Sequence, residues 1–105
     1  MSDIKNYHKK LLEKEDYFLH KNDYASAENF LLECLEKAVA QNDGVTEILI
    51  RNELMGLYRK LGRGEEALYA VECALAKIEV LGVGEQIGSA TTYLNSATVY
   101  KAFNM

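Results

Sequence analysis

The segment Asn22-Asp23-Tyr24-Ala25-Ser26-Ala27-Glu28-Asn29-Phe30-Leu31-Leu32-Glu33-Cys34-Leu35 recurs as Gly62-Arg63-Gly64-Glu65-Glu66-Ala67-Leu68-Tyr69-Ala70-Val71-Glu72-Cys73-Ala74-Leu75, with Ala27 and Ala67 40 residues apart. Self-similarity at such a period, carried on helical patterns, marks a stack of helical units that bury their apolar stripes against one another. With 105 residues the chain is one domain. It has no proline and only seven glycines, which favours helices joined by short turns.

The pattern predicts five helices. The first covers about Asp3 to His20, with Ser2 or Asp3 as N-cap. Its Ile4, Tyr7, Leu11 and Phe18 stand at helical spacing, with Leu12 and Leu19 alongside. Lys21-Asn22-Asp23 is a turn whose Asn and Asp can accept the free N–H groups of the next helix. The second helix covers about Tyr24 to Gln41. Its apolar stripe is Ala27, Phe30, Leu31, Cys34, Leu35 and Ala38, with Glu28, Glu33, Glu36 and Lys37 off it. Asn42-Asp43-Gly44 ends it, Gly44 being the residue that tolerates a left-handed C-terminal conformation. The third helix, about Val45 to Leu61, carries Ile48, Ile50, Leu54, Met55, Leu57, Tyr58 and Leu61, a face wide enough to predict burial on two sides. After the turn Gly62-Arg63-Gly64, the fourth runs from about Glu65 to Leu81. Its stripe is Ala67, Leu68, Val71, Ala74, Leu75, Ile78 and Leu81. Gly82-Val83-Gly84 breaks it. The fifth, about Glu85 to Phe103, carries Ile87, Ala90, Leu94, Ala97 and Tyr100, with Val99 and Phe103 on an adjoining face.

Several kinds of chemistry are excluded. A net charge of −4 gives nucleic acid no basic footprint. Gly82-x-Gly84-x-x-x-Gly88 follows a helix rather than a strand and reads as an inter-helix turn, not a dinucleotide loop. His8 and His20 share one helix and have no Cys or carboxylate partner at zinc-like spacing, so no metal is expected. Cys34 and Cys73 fall on helical stripes and read as small buried hydrophobes in a reducing compartment. Glu65-Glu66 suits the positive end of a helix dipole. No catalytic residues and no cofactor are expected. The N-terminus has no signal-peptide core and no apolar run approaches a membrane span, so a cytoplasmic location is expected.

Taken together, Leu54-Met55-Gly56-Leu57-Tyr58-Arg59-Lys60-Leu61-Gly62, then Ala67, Val71 and Ala74-Leu75, resemble the tetratricopeptide repeat. That family stacks pairs of A and B helices. The earlier copy has Phe18 for Tyr58, Asn22 for Gly62, then Ala27, Leu31 and Cys34-Leu35. Its A helix departs from the pattern: Lys14 and Glu15 stand where Leu and a small residue would pack, as suits a polar cap. Leu94-Asn95-Ser96-Ala97-Thr98-Val99-Tyr100 looks like a third A helix. The spacings of 40 and 42 residues are similar to the longer-helix variety of the family. The resemblance implies an all-α array of antiparallel pairs stacked as a superhelix. Repeat 1 would cover about residues 3–43, repeat 2 about 44–83, and helix A of repeat 3 about 85–104.

The resemblance also implies a concave groove lined by the A helices and open to a peptide or protein partner. By register the groove holds Lys9, Leu12, Asp16, Leu19 and His20, then Leu49, Asn52, Gly56, Arg59 and Lys60, then Thr91, Leu94, Asn95, Thr98 and Lys101. Asn52 and Asn95 are the expected peptide-backbone ligands, since an amide both donates and accepts. Arg59 and Lys101 could hold an acidic group. Leu12 and Asp16 replace the Lys and Asn of the family's carboxylate clamp, which argues against a chaperone tail as ligand. The leading expectation is a non-enzymatic protein- or peptide-binding scaffold, the N-terminal part of a larger repeat protein. A self-assembling structural module and a ligand-sensing regulatory domain are the alternatives. With no third B helix, Val99 and Phe103 would lack a mate, and a homo-oligomer through the last helix is expected.

Overall fold

A computed structural model describes residues 2–103, apart from the side chains of Ser2 and Ile87. Expectations resting on those two side chains, on Asn104 or on Met105 lie outside the described residues. Five helices follow in order: α1 Ser2–His20, α2 Tyr24–Ala40, α3 Gly44–Leu61, α4 Gly64–Leu81 and α5 Ile87–Ala102. The array is all-helical among the described residues, and it measures 35 × 30 × 23 Å along its principal axes.

The turns share one backbone solution. Asn22, Asn42, Gly62 and Gly82 are the left-handed residues, with φ of 56, 56, 72 and 67°. In each turn the left-handed residue's N–H returns to the carbonyl three residues back. The next N–H reaches five back, as in Asp23 N to Phe18 O at 2.9 Å and Arg63 N to Tyr58 O at 2.9 Å. This paired closure satisfies carbonyls that the ending helix leaves free. Asp23 and Asp43 then cap the next helix, accepting from Ser26 N at 3.1 Å and Thr46 N at 3.2 Å. The left-handed position expected at Gly44 belongs to Asn42. Gly44 instead opens α3, where a Cβ would stand 2.8 Å from Leu81 Cδ1. Of the two N-cap candidates of α1, Asp3 lies within its first turn, and the Ser2 side chain is outside the described residues.

One apolar core draws on all five helices: Leu11 of α1, Leu31 and Leu35 of α2, Ile50, Leu54 and Met55 of α3, Val71 and Ala74 of α4, and Val99 of α5. Ala27 and Ala67 are fully buried. Their small side chains let α2 and α4 lie close to their neighbours. Helix α3 packs on α2, α4 and α5, and that accounts for its wide apolar face. Cys34 and Cys73 are free thiols, the first buried and the second half-buried.

Two further expectations fail. Helix α5 turns Ser89, Thr92, Ser96 and Val99 inward, while Ala90, Leu94, Ala97 and Tyr100 face out, Leu94 at 69% exposure. Val99 and Phe103 are therefore not an unmated face: Val99 is in the core and Phe103 packs against it. The inward hydroxyls tolerate burial because they are bonded. Ser89 Oγ donates to Val83 O and Ser96 Oγ to Thr92 O, both at 2.7 Å. The second failure is Glu15, which is not a solvated cap residue but is 2% exposed.

Charged groups lock the pairs together at their edges. Arg63 donates to both oxygens of Glu28, at 2.8 and 3.0 Å, and also pairs with Glu66. Tyr58 Oη donates to Glu28 Oε2 at 2.7 Å, and its ring lies 4.8 Å beneath the Arg63 guanidinium. One ionic cluster thus joins α2, α3 and the start of α4. The Arg63 and Tyr58 hydrogen bonds hold the Glu28 carboxyl below its ordinary range. Burial and the Glu28 charge push the Tyr58 hydroxyl up.

Candidate ligand-binding groove

Helices α1, α3 and α5 line a groove with two adjoining hollows. The larger, about 320 Å³, is lined by His8, Val45, Ile48, Leu49, Asn52 and Glu53, and closed by Leu81, Val83, Gln86, Gly88, Ser89, Thr91 and Asn95. Its volume is in the range that holds small ligands or a few peptide side chains. The smaller, about 160 Å³, is lined by Glu15, Leu19, Glu53, Gly56, Leu57 and Lys60. Glu53 belongs to both.

At the α3–α5 wall, Asn52 is 9% exposed. Its Nδ2 donates to Ile48 O at 2.9 Å and to Thr92 Oγ1 at 2.8 Å, and its Oδ1 accepts from Asn95 Nδ2 at 2.9 Å. Both N–H bonds of Asn52 are thus spent within the fold, one back onto α3 and one across to α5. Asn95 keeps more in reserve: one N–H goes to Asn52, and its carbonyl oxygen has no hydrogen-bond donor among the described residues.

A second polar chain fixes the other end. Thr46 Oγ1 donates to Asp43 Oδ2 at 2.6 Å. The hydroxyl proton is thereby committed, so His8 Nε2, 2.8 Å from the same oxygen, is the donor. Thr46 thus links the Asp43 cap to His8 and ties α1 to the start of α3. Among the described residues no three His, Cys, Asp or Glu side chains are placed to hold a metal ion. No helix among them is long and apolar enough to cross a membrane.

The smaller hollow holds an acid pair, Glu15 and Glu53, of which Glu53 also lines the larger. Glu15 Oε1 is buried and has no hydrogen-bond partner. Burial first, then a hydrogen bond and the charge of Glu53, push its pKa up to about 9. At neutral pH Glu15 therefore keeps its proton.

Of the residues assigned to the groove by register, the larger hollow gathers Leu49, Asn52, Thr91 and Asn95. The smaller gathers Leu19, Gly56 and Lys60. Leu12 packs against the core, and Lys9, Asp16, His20, Arg59, Leu94, Thr98 and Lys101 line neither hollow. Lys101 and Arg59 are exposed, while Thr98 donates to Leu94 O at 3.0 Å. His8, Glu15 and Glu53 were not anticipated. The α3 series Leu49, Asn52, Glu53, Gly56 and Lys60 has helical spacing, and that spacing was the signal for Glu53. The chain matches no protein-family model, no curated protein and no solved structure.

Proposed function

We propose that the chain is a non-enzymatic peptide-binding module of stacked helix pairs, similar to tetratricopeptide repeats, working in the cytoplasm. The observation that carries this reading is the larger hollow. It is open, its α3 wall is apolar at Val45, Ile48 and Leu49, and the amide oxygen of Asn95, which accepts no hydrogen bond among the described residues, stands at its edge. An extended peptide presents what such a site recognises: an apolar side chain for the floor and a backbone N–H for the Asn95 oxygen. The helix-pair echo supports the same reading, because such stacks build extended concave surfaces.

Selection of random octapeptides displayed on phage tests it. A consensus with at least one apolar position is expected. Winning peptides should bind Leu49→Arg and Asn95→Ala about tenfold or more weaker than the parent chain. Absence of a consensus, or equal binding to Leu49→Arg, would sink the proposal.

A second reading is favoured by the outward face of α5. Tyr93, Leu94 and Tyr100 are exposed together there, and a contiguous apolar face of this kind suits association of two copies. Light scattering is expected to show a dimer that Leu94→Glu dissolves. A monomer at millimolar concentration would exclude this second role.

A further inference from the structure

We propose that the smaller hollow takes a cationic side chain, a lysine or arginine of the bound peptide, between Glu53 and Glu15. This rests on the peptide-binding reading and adds the chemical class of the residue read beside the apolar floor.

Three features of the hollow converge on a cation with an aliphatic stem. Glu15 is 2% exposed, and its Oε1 has no donor. A buried acceptor left unpaired is costly, and an entering N–H⁺ would supply the missing bond. The stem has a path as well. A Cβ built on Gly56 meets nothing within 4 Å, and Leu19 and Leu57 provide apolar walls. The hollow of about 160 Å³ equals roughly five water molecules.

The charges agree with a single positive guest. Glu15 keeps its proton, and the charges of Glu53 and Asp16 are both felt there, a negative field that favours a positive guest. The cation already nearby is Lys60, whose ammonium rests 5.3 Å over the Tyr24 ring rather than pairing with either carboxyl. A net charge of −4 favours approach of a basic peptide. Glu53 lines both hollows, so a basic residue held there would sit next to the residue entering the apolar floor.

The test uses two small probes on the isotope-labelled full chain, followed by backbone amide shifts. Pentylammonium chloride copies a lysine side chain, and 1-pentanol copies its stem without the charge. Saturable shifts at Leu19, Glu53, Gly56 and Leu57 are expected with the ammonium, and binding about tenfold or more weaker with the alcohol. Glu53→Gln should lose the preference for the ammonium. Gly56→Leu, which replaces a helical glycine by a better helix former and fills the hollow, should lose both probes while staying folded by circular dichroism. Alcohol binding as tight as ammonium binding, or no shift at these amides, overturns the proposal. The phage selection separates it from the reading beneath it. A consensus lacking any Lys or Arg leaves peptide binding standing and removes the cation site. Ammonium binding with no peptide consensus supports the cation site and removes the peptide.

Discussion

The ring of Phe103, at the end of α5, occupies the space beside Gly64, at the start of α4. A Cβ on Gly64 would lie 2.9 Å from Phe103 Cδ1. Glycine here is a matter of room for the neighbouring helix. In Gly64→Ala the ring must move, at about 1–3 kcal/mol, against a helix-propensity gain of up to about 1 kcal/mol. A net loss of about 1 kcal/mol is expected in urea denaturation. Phe103→Leu in the same chain should recover part of it, and additive losses in the double variant would refute the contact.

Glu15→Gln is expected to stabilise the protein at pH 7 by about 1–2 kcal/mol, because a neutral amide keeps a donor in place without the proton uptake on folding that the raised pKa of Glu15 entails. The pH dependence has a definite sign. The folded pKa of Glu15, about 9, lies above its ordinary range near 4.3, under the influence of burial, Glu53 and Asp16. Between those values the folded chain holds a proton that the unfolded chain has lost. Stability from this group therefore falls as pH rises across that window, by at most about 1.4 kcal/mol per pH unit, and levels off above it. Thermal melts from pH 5 to about 9.5 should show the decline in the parent chain and a shallower one in Glu15→Gln. Parallel curves would contradict the assignment.

Glu28 behaves in the opposite direction. Its carboxyl is held low by Arg63 first, and also by Tyr58. Its contribution is fully present above the ordinary carboxylate range and is lost as pH falls through the lowered folded value. Glu28→Gln should melt a few degrees below the parent at pH 7, and the gap should narrow as the pH falls below the ordinary carboxylate range. A gap of constant size would mean that shape, not charge, sets the effect.

Asn52→Ala is expected to cost about 1–3 kcal/mol, since Thr92 and Asn95 each lose a partner at a buried wall. The loss should be local. Hydrogen exchange of α5 amides should speed up before that of α2 or α4, because α5 faces inward with Ser89, Thr92 and Ser96 and has Val99 in the core. Uniform acceleration across the helices would argue against this view of α5.

How legible the molecule was depended on how each side chain meets burial. The stripes of α2 and α4 were readable because Leu31, Leu35, Val71 and Ile78 are buried for the ordinary reason, their apolar surface. Helix α5 misled because apolar periodicity reports the inward face only where burial is apolar. Ser96 enters the interior by bonding its hydroxyl to Thr92 O, a bond that leaves no trace in hydropathy. Glu15 hid for a related reason: a glutamate reads as surface until burial, aided by a neighbouring acid, makes it keep its proton. The lining of the larger hollow was readable where spacing alone decides, as for Leu49 and Asn95. Register could not foretell that Asn52 would spend both N–H bonds within the fold.

The left-handed residues Asn22, Asn42, Gly62 and Gly82 recur every 20 positions. Each step reverses the chain, so two steps bring it back to the same end of the stack. A single inserted residue within α2 or α3 would rotate everything after it by about 100° and carry buried side chains to the surface. A block running from one turn to its like, such as Tyr24 through Arg63, begins and ends in the same geometry. The backbone is thus tolerant of growth only in whole helix pairs, and any natural or engineered lengthening of this groove has 40 residues as its smallest in-phase step.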